Sequence, residues 1–230
     1  MIVLGIDTSG YVNSVGVVND SRILADSIFP ARTDSLEQIV DNIDSTLKNA
    51  GLTLEDVQGI GVGLGPGSWT GIKVGVTVGK MLAFSTGKPV CGVPTLETLA
   101  YSARHESPHV CSVISIGVGD AVYAGFYHTE NDTISQIGGY YVGDIKGLTT
   151  LITGTCVIVG TGVSPHAQLI AQALGIKVRA LEAVPGGAVI ASLAARRLDR
   201  GERDEALSLT PLYLKESTAR VFVNRYASLS

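Results

Sequence analysis

The chain has 230 residues, a formal net charge of −4 and a hydrophobic fraction of 45%. This length and this hydrophobic content allow one or two domains with cores of their own and exclude an intrinsically disordered chain. The 17 Lys and Arg residues form no cluster, which excludes the basic surface of an autonomous nucleic-acid-binding protein. Any role on a nucleic acid would therefore be shared with a partner.

The first residues predict a strand rather than a signal peptide, because residues 1–7 lack a basic region and reach Asp7 early. The three cysteines, Cys91, Cys111 and Cys156, lie in apolar, strand-like surroundings without the spacing of a zinc site or a disulfide framework. We expect buried, reduced thiols and a cytoplasmic protein. The most apolar helix candidate, 74–84, is too short to span a bilayer, so no membrane partner is expected.

The first half of the chain alternates strand and helix patterns. Apolar residues at helical spacing predict a helix from about Ser35 to Ala50, with Asp34 and Glu37 as a capping pair and Gly51 as the stop. Strands are predicted over 2–7, 14–18, 23–29 and 60–64.

A glycine-rich turn and helix follow, in the segment Gly65-Pro66-Gly67-Ser68-Trp69-Thr70-Gly71 and the residues after it. Ser68 or Thr70 can cap the helix, which is predicted from about Thr70 to Phe84. Small residues then recur at every fourth position, on one helix face: Gly71, Gly75, Gly79 and Ala83. Each glycine disfavours the helix by about 1 kcal/mol, so close packing must compensate. The stripe packs inside its own domain or against a partner's helix, and the sequence leaves both interpretations open.

The second half repeats the pattern of the first. In each half a strand reaches a turn with one acidic residue, Asp7 or Asp120, and a second strand returns. We therefore predict duplicated α/β domains over 1–103 and 104–230, the last segment packing back on the first domain. The predicted elements of the second half are strands over 110–116, 122–127 and 157–159 and helices over 164–174 and 188–198.

Three motifs together resemble one known family. Gly5-Ile6-Asp7-Thr8-Ser9, the segment Gly65 to Gly71 followed by Gly75, and Pro211-Leu212-Tyr213-Leu214-Lys215 are similar to motifs of the bacterial TsaB family of tRNA threonylcarbamoyladenosine biosynthesis proteins. The resemblance covers nearly the whole chain. It implies an α/β fold of two ribonuclease-H-like domains of the actin-like ATPase superfamily, with mixed sheets flanked by helices.

The resemblance also implies a role. Such a protein is a non-catalytic subunit that binds a TsaD-like catalytic paralogue and supports threonylcarbamoylation of adenosine 37 of tRNA. A TsaE-type ATPase subunit would join the complex, tRNA would be reached through it, and the free protein could form a homodimer. The two first-domain helices would form the interface, which places these residues at it: Leu36, Ile39, Val40, Ile43, Gly71, Gly75 and Gly79.

Some positions depart from the family pattern. Asp34-Ser35-Leu36 stands where His-Ser-Glu is frequent, Lys73 where Arg is common and Trp69 where Phe is common. Because lysine cannot form the bidentate pair of an arginine, individual interface contacts should differ from those of relatives.

No metal site is predicted. The catalytic relatives bind metal through a His-x-x-x-His motif, which aligns with Thr95 and Leu99 here, and leucine has no donor atom. A literal His-x-x-x-His occurs at His105 and His109, but Pro108 between them disfavours one helical face.

Nucleotide binding is an alternative that the glycine turns leave open. The superfamily places phosphate and adenosine loops at Asp7, Thr8, Ser9, Asp120, Gly160 and Gly162. The same residues also fit plain turns inherited from an ATPase ancestor, and we favour that interpretation. We expect no tightly bound cofactor, with ADP or ATP and magnesium as the candidate ligand. The alternative function is a small ATPase or kinase that uses Asp7 and Asp120 around magnesium.

The sequence shows no nucleophilic catalytic set, because no cysteine or histidine has a catalytic partner residue at a spacing that would indicate nucleophilic catalysis. An aromatic group could stack bases, but strand packing is the favoured interpretation without basic neighbours. The group consists of Tyr123, Phe126, Tyr127, Tyr140 and Tyr141.

Overall fold

The computed structural model describes residues 1–31, 38–117, 119–175 and 178–215. Within these ranges the chain forms two five-stranded sheets and six α-helices. The strands are β1 (Ile2–Asp7), β2 (Val12–Asn19), β3 (Arg22–Pro30), β4 (Gly59–Gly63), β5 (Val90–Val93), β6 (His109–Ser115), β7 (Ala121–Glu130), β8 (Thr133–Asp144), β9 (Cys156–Val159) and β10 (Val178–Leu181). The helices are α1 (Ile39–Asn49), α2 (Trp69–Thr86), α3 (Thr95–Ser102), α4 (Ile145–Leu151), α5 (Ala167–Leu174) and α6 (Gly187–Asp199).

The two sheets have the same topology. The first has the strand order β3-β2-β1-β4-β5 and the second, read from its other edge, β8-β7-β6-β9-β10. In each, the first strand pairs antiparallel with the next strand and parallel with the fourth. The α/β duplication predicted from the sequence is therefore confirmed, as is the mixed character of both sheets.

One face of the first sheet packs against α1 and α2. The buried apolar positions of α1 are Ile39, Ile43 and Leu47, which repeat at helical spacing and join the core formed with β1, β2 and β4. This spacing is the pattern that predicted the helix. Asp34 and Glu37, proposed as its capping pair, lie outside the described residues.

The opposite face of the first sheet is covered by α6, which comes from the far end of the chain. Small residues allow this helix to lie close to the strands: a Cβ added at Gly16 would overlap the backbone nitrogen of Ala188. After α6 the chain continues along the same sheet, where the Leu212 N–H donates to the Leu64 carbonyl at 2.8 Å. Residues 187–215 therefore lie on the first half, whereas the domain division at residue 103 stays a prediction.

The second sheet lies between α3 on one face and α4 and α5 on the other. The aromatic group predicted to pack in the strands is divided between these two cores. All three cysteines are free and buried, and burial raises the pKa of Cys91 and of Cys156 to about 11. In the parts of the chain that the structure describes, no helix is long and apolar enough to cross a membrane.

Candidate functional site

The glycine stripe of α2 faces the protein's own sheet. A Cβ at Gly71 would overlap the Thr8 carbonyl oxygen, one at Gly75 the Thr8 hydroxyl, and one at Gly79 the Val62 side chain. The interpretation that the stripe packs inside its own domain is thus the one the structure shows. Gly71 and Gly75 pack on the turn after β1 and Gly79 packs on β4, so this packing accounts for the stripe, and a role of these glycines as partner contacts stays a prediction.

The predicted contacts on α1 divide in the same way. Ile39 and Ile43 are only 2% and 4% exposed and belong to the core beneath the helix, and their role as interface residues stays a prediction. Val40, in contrast, is 58% exposed on the outward side. Leu36 lies outside the described residues. Ile39 and Ile43 are buried because a helix that covers a sheet packs its most apolar stripe against that sheet.

The outward side of α2 carries large side chains at helical spacing. We call this surface the outer face of α2, formed by Trp69, Lys73, Thr77, Met81 and Phe84. Trp69 is 45% exposed, Met81 57% and Phe84 60%. The Lys73 ammonium lies 4.3 Å from the centre of the Trp69 ring, which is a cation–π arrangement. A rigid helix thus presents three large hydrophobic side chains to the solvent.

A second segment extends this surface. Residues 204–215, here called the strap, run beside α2, and the Tyr213 ring lies 4.3 Å from the Trp69 ring. Lys80 of α2 donates hydrogen bonds to the carbonyl oxygens of Leu207 at 2.9 Å and Leu209 at 3.0 Å. Leu207 is 63% exposed. The outer face of α2 and the strap therefore form one apolar, partly cationic surface.

The turn after β1 holds a buried carboxylate. Asp7 is 1% exposed, and its Oδ1 accepts bonds from the Ser9 N–H at 2.8 Å and the Ser9 hydroxyl at 2.7 Å. The Thr95 hydroxyl lies 3.5 Å from its other oxygen. Burial raises the pKa of Asp7 to about 6, against the smaller opposing effect of these hydrogen bonds.

Further contacts join this turn to α2 and α3. The Thr8 hydroxyl donates to the Gly71 carbonyl at 2.6 Å, and the Ser68 N–H donates to the Ser9 carbonyl at 2.6 Å. The Thr95 hydroxyl donates to the Ser9 hydroxyl at 3.1 Å. The polar groups of the Asp7-Thr8-Ser9 turn are thus engaged within the chain. Thr95, which aligns with a metal-binding histidine of the catalytic relatives, contributes to this network.

A cleft of about 550 Å³ separates the two halves. Its lining includes Ser9, Tyr11, Ser115, Tyr123, Thr161 and Glu182. Of the other residues predicted to hold a nucleotide, Asp7 and Thr8 are buried, and Gly160 and Gly162 pack on Val113, whose carbonyl accepts the Gly162 N–H at 3.0 Å.

Asp120 lies in a different arrangement, which the sequence did not predict. Its Oδ1 is 3.8 Å from Nδ1 of His166, and Nε2 of His166 is 3.4 Å from the Ser115 hydroxyl. The three residues come from the end of β6, the turn after it, and the short 3₁₀ turn before α5. They are spread over about fifty positions, so no spacing in the sequence signals their proximity.

The literal His-x-x-x-His does not form one helical face. His105 follows α3 and lies 3.4 Å from Asp132, whereas His109 begins β6 with its ring 5.3 Å from that of His128. Among the described residues, no group of three or more His, Cys, Asp or Glu side chains could hold a metal ion.

Comparisons with known proteins agree on one family. The family model of TsaD, tRNA N6-adenosine threonylcarbamoyltransferase, matches residues 28–219. The tRNA threonylcarbamoyladenosine biosynthesis protein TsaB of Bacillus subtilis (strain 168) is 29% identical over 180 residues, which cover 77% of this chain and 78% of that protein. The protein of the same name from Escherichia coli (strain K12) is 25% identical over 232 residues, covering 95% and 96% of the two chains.

Solved structures support the same assignment. A crystal structure of a Pseudomonas aeruginosa protein with similarity to peptidase YeaZ has a TM-score of 0.80 at 26% identity, covering 93% of this chain and 99% of that one. The ROK hexokinase of Thermus thermophilus, at 12% identity and a TM-score of 0.51, shows the shared actin-like fold alone. The family model and the near full-length relatives together show that this chain belongs to the TsaB family of tRNA threonylcarbamoyladenosine biosynthesis proteins.

Proposed function

We propose that this chain is a subunit without transferase chemistry of its own, which binds a TsaD-like catalytic paralogue and thereby supports threonylcarbamoylation of adenosine 37 of tRNA. The names of its relatives support the pathway. The observation that carries the proposal is the outer face of α2, an exposed apolar helix surface on a rigid support.

The energetics of this surface suit a protein partner. Contiguous exposed hydrophobic side chains are uncommon on monomeric proteins and mark interaction sites. Covering Trp69, Met81 or Phe84 completely would contribute about 1.5–3 kcal/mol for each side chain. Aromatic residues at the centre of an interface commonly carry much of its binding energy. Because the glycine stripe seats α2 directly on the sheet, little order would have to be created on binding.

The strap and α1 would border the same contact. Val40 is exposed on α1, which covers the same face of the sheet as α2, and it stays a predicted partner contact. Tyr213 on the strap continues the aromatic surface from Trp69. A second copy of the chain could use the same face, so a homodimer and the complex with the paralogue would compete.

Two positions on α3 support the assignment of the transfer chemistry to the paralogue rather than to this chain. Where the catalytic relatives carry metal-binding histidines, this chain has Thr95 and Leu99, which are buried in its own interior. We therefore assign the metal and the transfer chemistry to the paralogue. The ATPase alternative is not favoured, since the Asp7 carboxylate is engaged by Ser9 and Thr95.

Reconstituted modification tests this function. The TsaD-like paralogue of the same organism, with the other components of the pathway, is given tRNA and labelled threonine, with and without this chain. We expect incorporation to require the chain, to be lost with Met81→Glu/Phe84→Glu, and to persist with Ile137→Glu, a matched change at an exposed apolar residue of the second half. Full incorporation without the chain would contradict the proposed function.

A further inference from the structure

A serine, a histidine and an aspartate come together at the edge of the cleft between the two halves. Ser115 ends β6, Asp120 precedes β7, and His166 closes the 3₁₀ turn before α5. The outer face of α2 does not include these residues, so they are unused by the proposed partner-binding role.

The order of contacts among the three residues is that of a nucleophile, a base and an orienting group. The Ser115 Oγ is 3.4 Å from His166 Nε2, and His166 Nδ1 is 3.8 Å from Asp120 Oδ1. Serine hydrolases on unrelated folds share this arrangement of hydroxyl, imidazole and carboxylate. The Ser115–His166 distance is long for a hydrogen bond and the His166–Asp120 distance exceeds one, so the proposed catalysis requires both contacts to shorten in the complex with substrate, as catalytic contacts commonly do.

The histidine of the three residues is buried, whereas the serine can be reached from the cleft. His166 is 3% exposed, so its ring is held by the surrounding protein. Ser115 is only partly buried and lines the cleft of about 550 Å³. Tyr11, Ile114 and Tyr123 also line it and provide apolar walls. A cleft of this size and polarity fits a small molecule with a short apolar group.

We propose that this cleft is a serine-hydrolase site for short-chain carboxylic esters, with Ser115 as nucleophile, His166 as general base and Asp120 as the residue that positions the imidazole. This activity goes beyond the proposed partner-binding function and does not depend on it.

The reaction would proceed in two balanced steps. The Ser115 oxygen attacks the ester carbonyl and its proton passes to His166 Nε2; the carbon–alkoxide bond then breaks, and the alcohol leaves with that proton. Water next attacks the acyl-serine, giving its proton to His166, and the proton returns to Ser115 as the carboxylic acid departs. No oxidant, reductant or metal is needed.

The test combines covalent labelling with hydrolysis by the purified full chain. A fluorophosphonate probe should label Ser115, identified by peptide mass, and 4-nitrophenyl acetate and butyrate should be hydrolysed. We expect Ser115→Ala to abolish labelling and to lower hydrolysis by about a hundredfold or more. Asp120→Asn should lower kcat by about tenfold or more with little change in KM, because the substituted residue positions the base without touching the substrate.

Two further variants, Asp120→Asn and Ser135→Ala, separate a loss of catalysis from a loss of folding. Asp120 is 57% exposed, so Asp120→Asn should fold even if a change at Ser115 does not. Ser135→Ala, at an exposed serine of β8, is the matched control and should hydrolyse at the wild-type rate. Hydrolysis by the wild type that is no faster than by Ser115→Ala, or labelling at another residue, would overturn the proposal.

Discussion

Asp7 combines a titratable side chain with nearly complete burial. In the folded protein its pKa is raised from 3.8 to about 6, chiefly by desolvation. Two bonds from Ser9 and a longer one from Thr95 offset that cost only in part. The carboxylate therefore destabilises the fold at neutral pH relative to a neutral group of the same shape.

The pH dependence of stability has a definite sign here. Since the folded pKa lies above the unfolded one, the group's contribution is greatest below pH 3.8 and is lost as the pH rises through about 6. Asp7→Asn keeps an oxygen that can accept the Ser9 bonds and removes the ionisation. We expect it to raise the free energy of unfolding by up to about 3 kcal/mol near pH 8 and by little near pH 4. Urea unfolding at both pH values measures this, and a variant less stable than the wild type at pH 8 would contradict it.

Gly71, on the inner face of α2, occupies a position that has no room for a side chain. A Cβ there would overlap the backbone oxygen of Thr8, which cannot move as a flexible side chain could. Gly71→Ala should therefore lower the free energy of unfolding by more than about 2 kcal/mol in urea titrations. Gly154→Ala is the control, because its Cβ would meet no atom within 4 Å, and it should change stability by less than about 0.5 kcal/mol. Equal effects of the two substitutions would contradict the packing described.

At the scale of the element, α2 has two different faces. The inner face carries glycines, which allow the helix to approach β1 and β4 closely, whereas the outer face carries large side chains that are exposed to solvent. The strap is tied to this helix through Lys80, whose ammonium binds two of its carbonyl oxygens. The strap thus depends on α2 for its position.

Removal of this tie should loosen the strap alone. A hydrogen bond from a charged group contributes about 1.5–3 kcal/mol, so Lys80→Ala should accelerate hydrogen exchange of the Asp204 and Leu212 amides by about tenfold or more. These amides donate to the carbonyls of Val90 and Leu64. Lys48→Ala, which removes an exposed lysine paired with Asp44, should leave both rates unchanged. Unaltered exchange in Lys80→Ala would show that the strap is held by other contacts.

The elements differ in how well the sequence predicts them. The spacing of Ile39, Ile43 and Leu47 predicts α1, and Ser68 caps α2 through the Gly71 N–H. No pattern indicated β8, because this edge strand is mostly exposed and lacks a regular alternation of buried residues. The small-residue stripe of α2 predicts close packing but not its partner, since sheet and helix both suit a surface without side chains.

At the scale of the whole molecule, the two halves are linked by helices from distant parts of the chain. Nη2 of Arg197, on the helix α6 that covers the first sheet, donates at 2.7 Å to both carboxylate oxygens of Glu97, on the helix α3 that covers the second. The duplication was readable from paired strand–turn–strand patterns. The proximity of Ser115, Asp120 and His166 was not, because it arises only when the second half folds.

The proposed binding of the catalytic paralogue depends on the outer face of α2 as the contact surface. Gly75→Leu is unsuited to test it, since the added side chain would overlap the Thr8 hydroxyl inside the chain's own domain. Met81→Glu/Phe84→Glu changes only exposed positions, and Ile137→Glu is a matched control on the second half.

The most direct measurement is the mass, by size exclusion with light scattering, of this chain mixed with its organism's TsaD-like paralogue. We predict a one-to-one complex for the wild type and for Ile137→Glu, and separate species for Met81→Glu/Phe84→Glu, because two carboxylates would be buried without partners. A complex that survives the double substitution would contradict the assigned face, and the absence of any wild-type complex would contradict the proposed function.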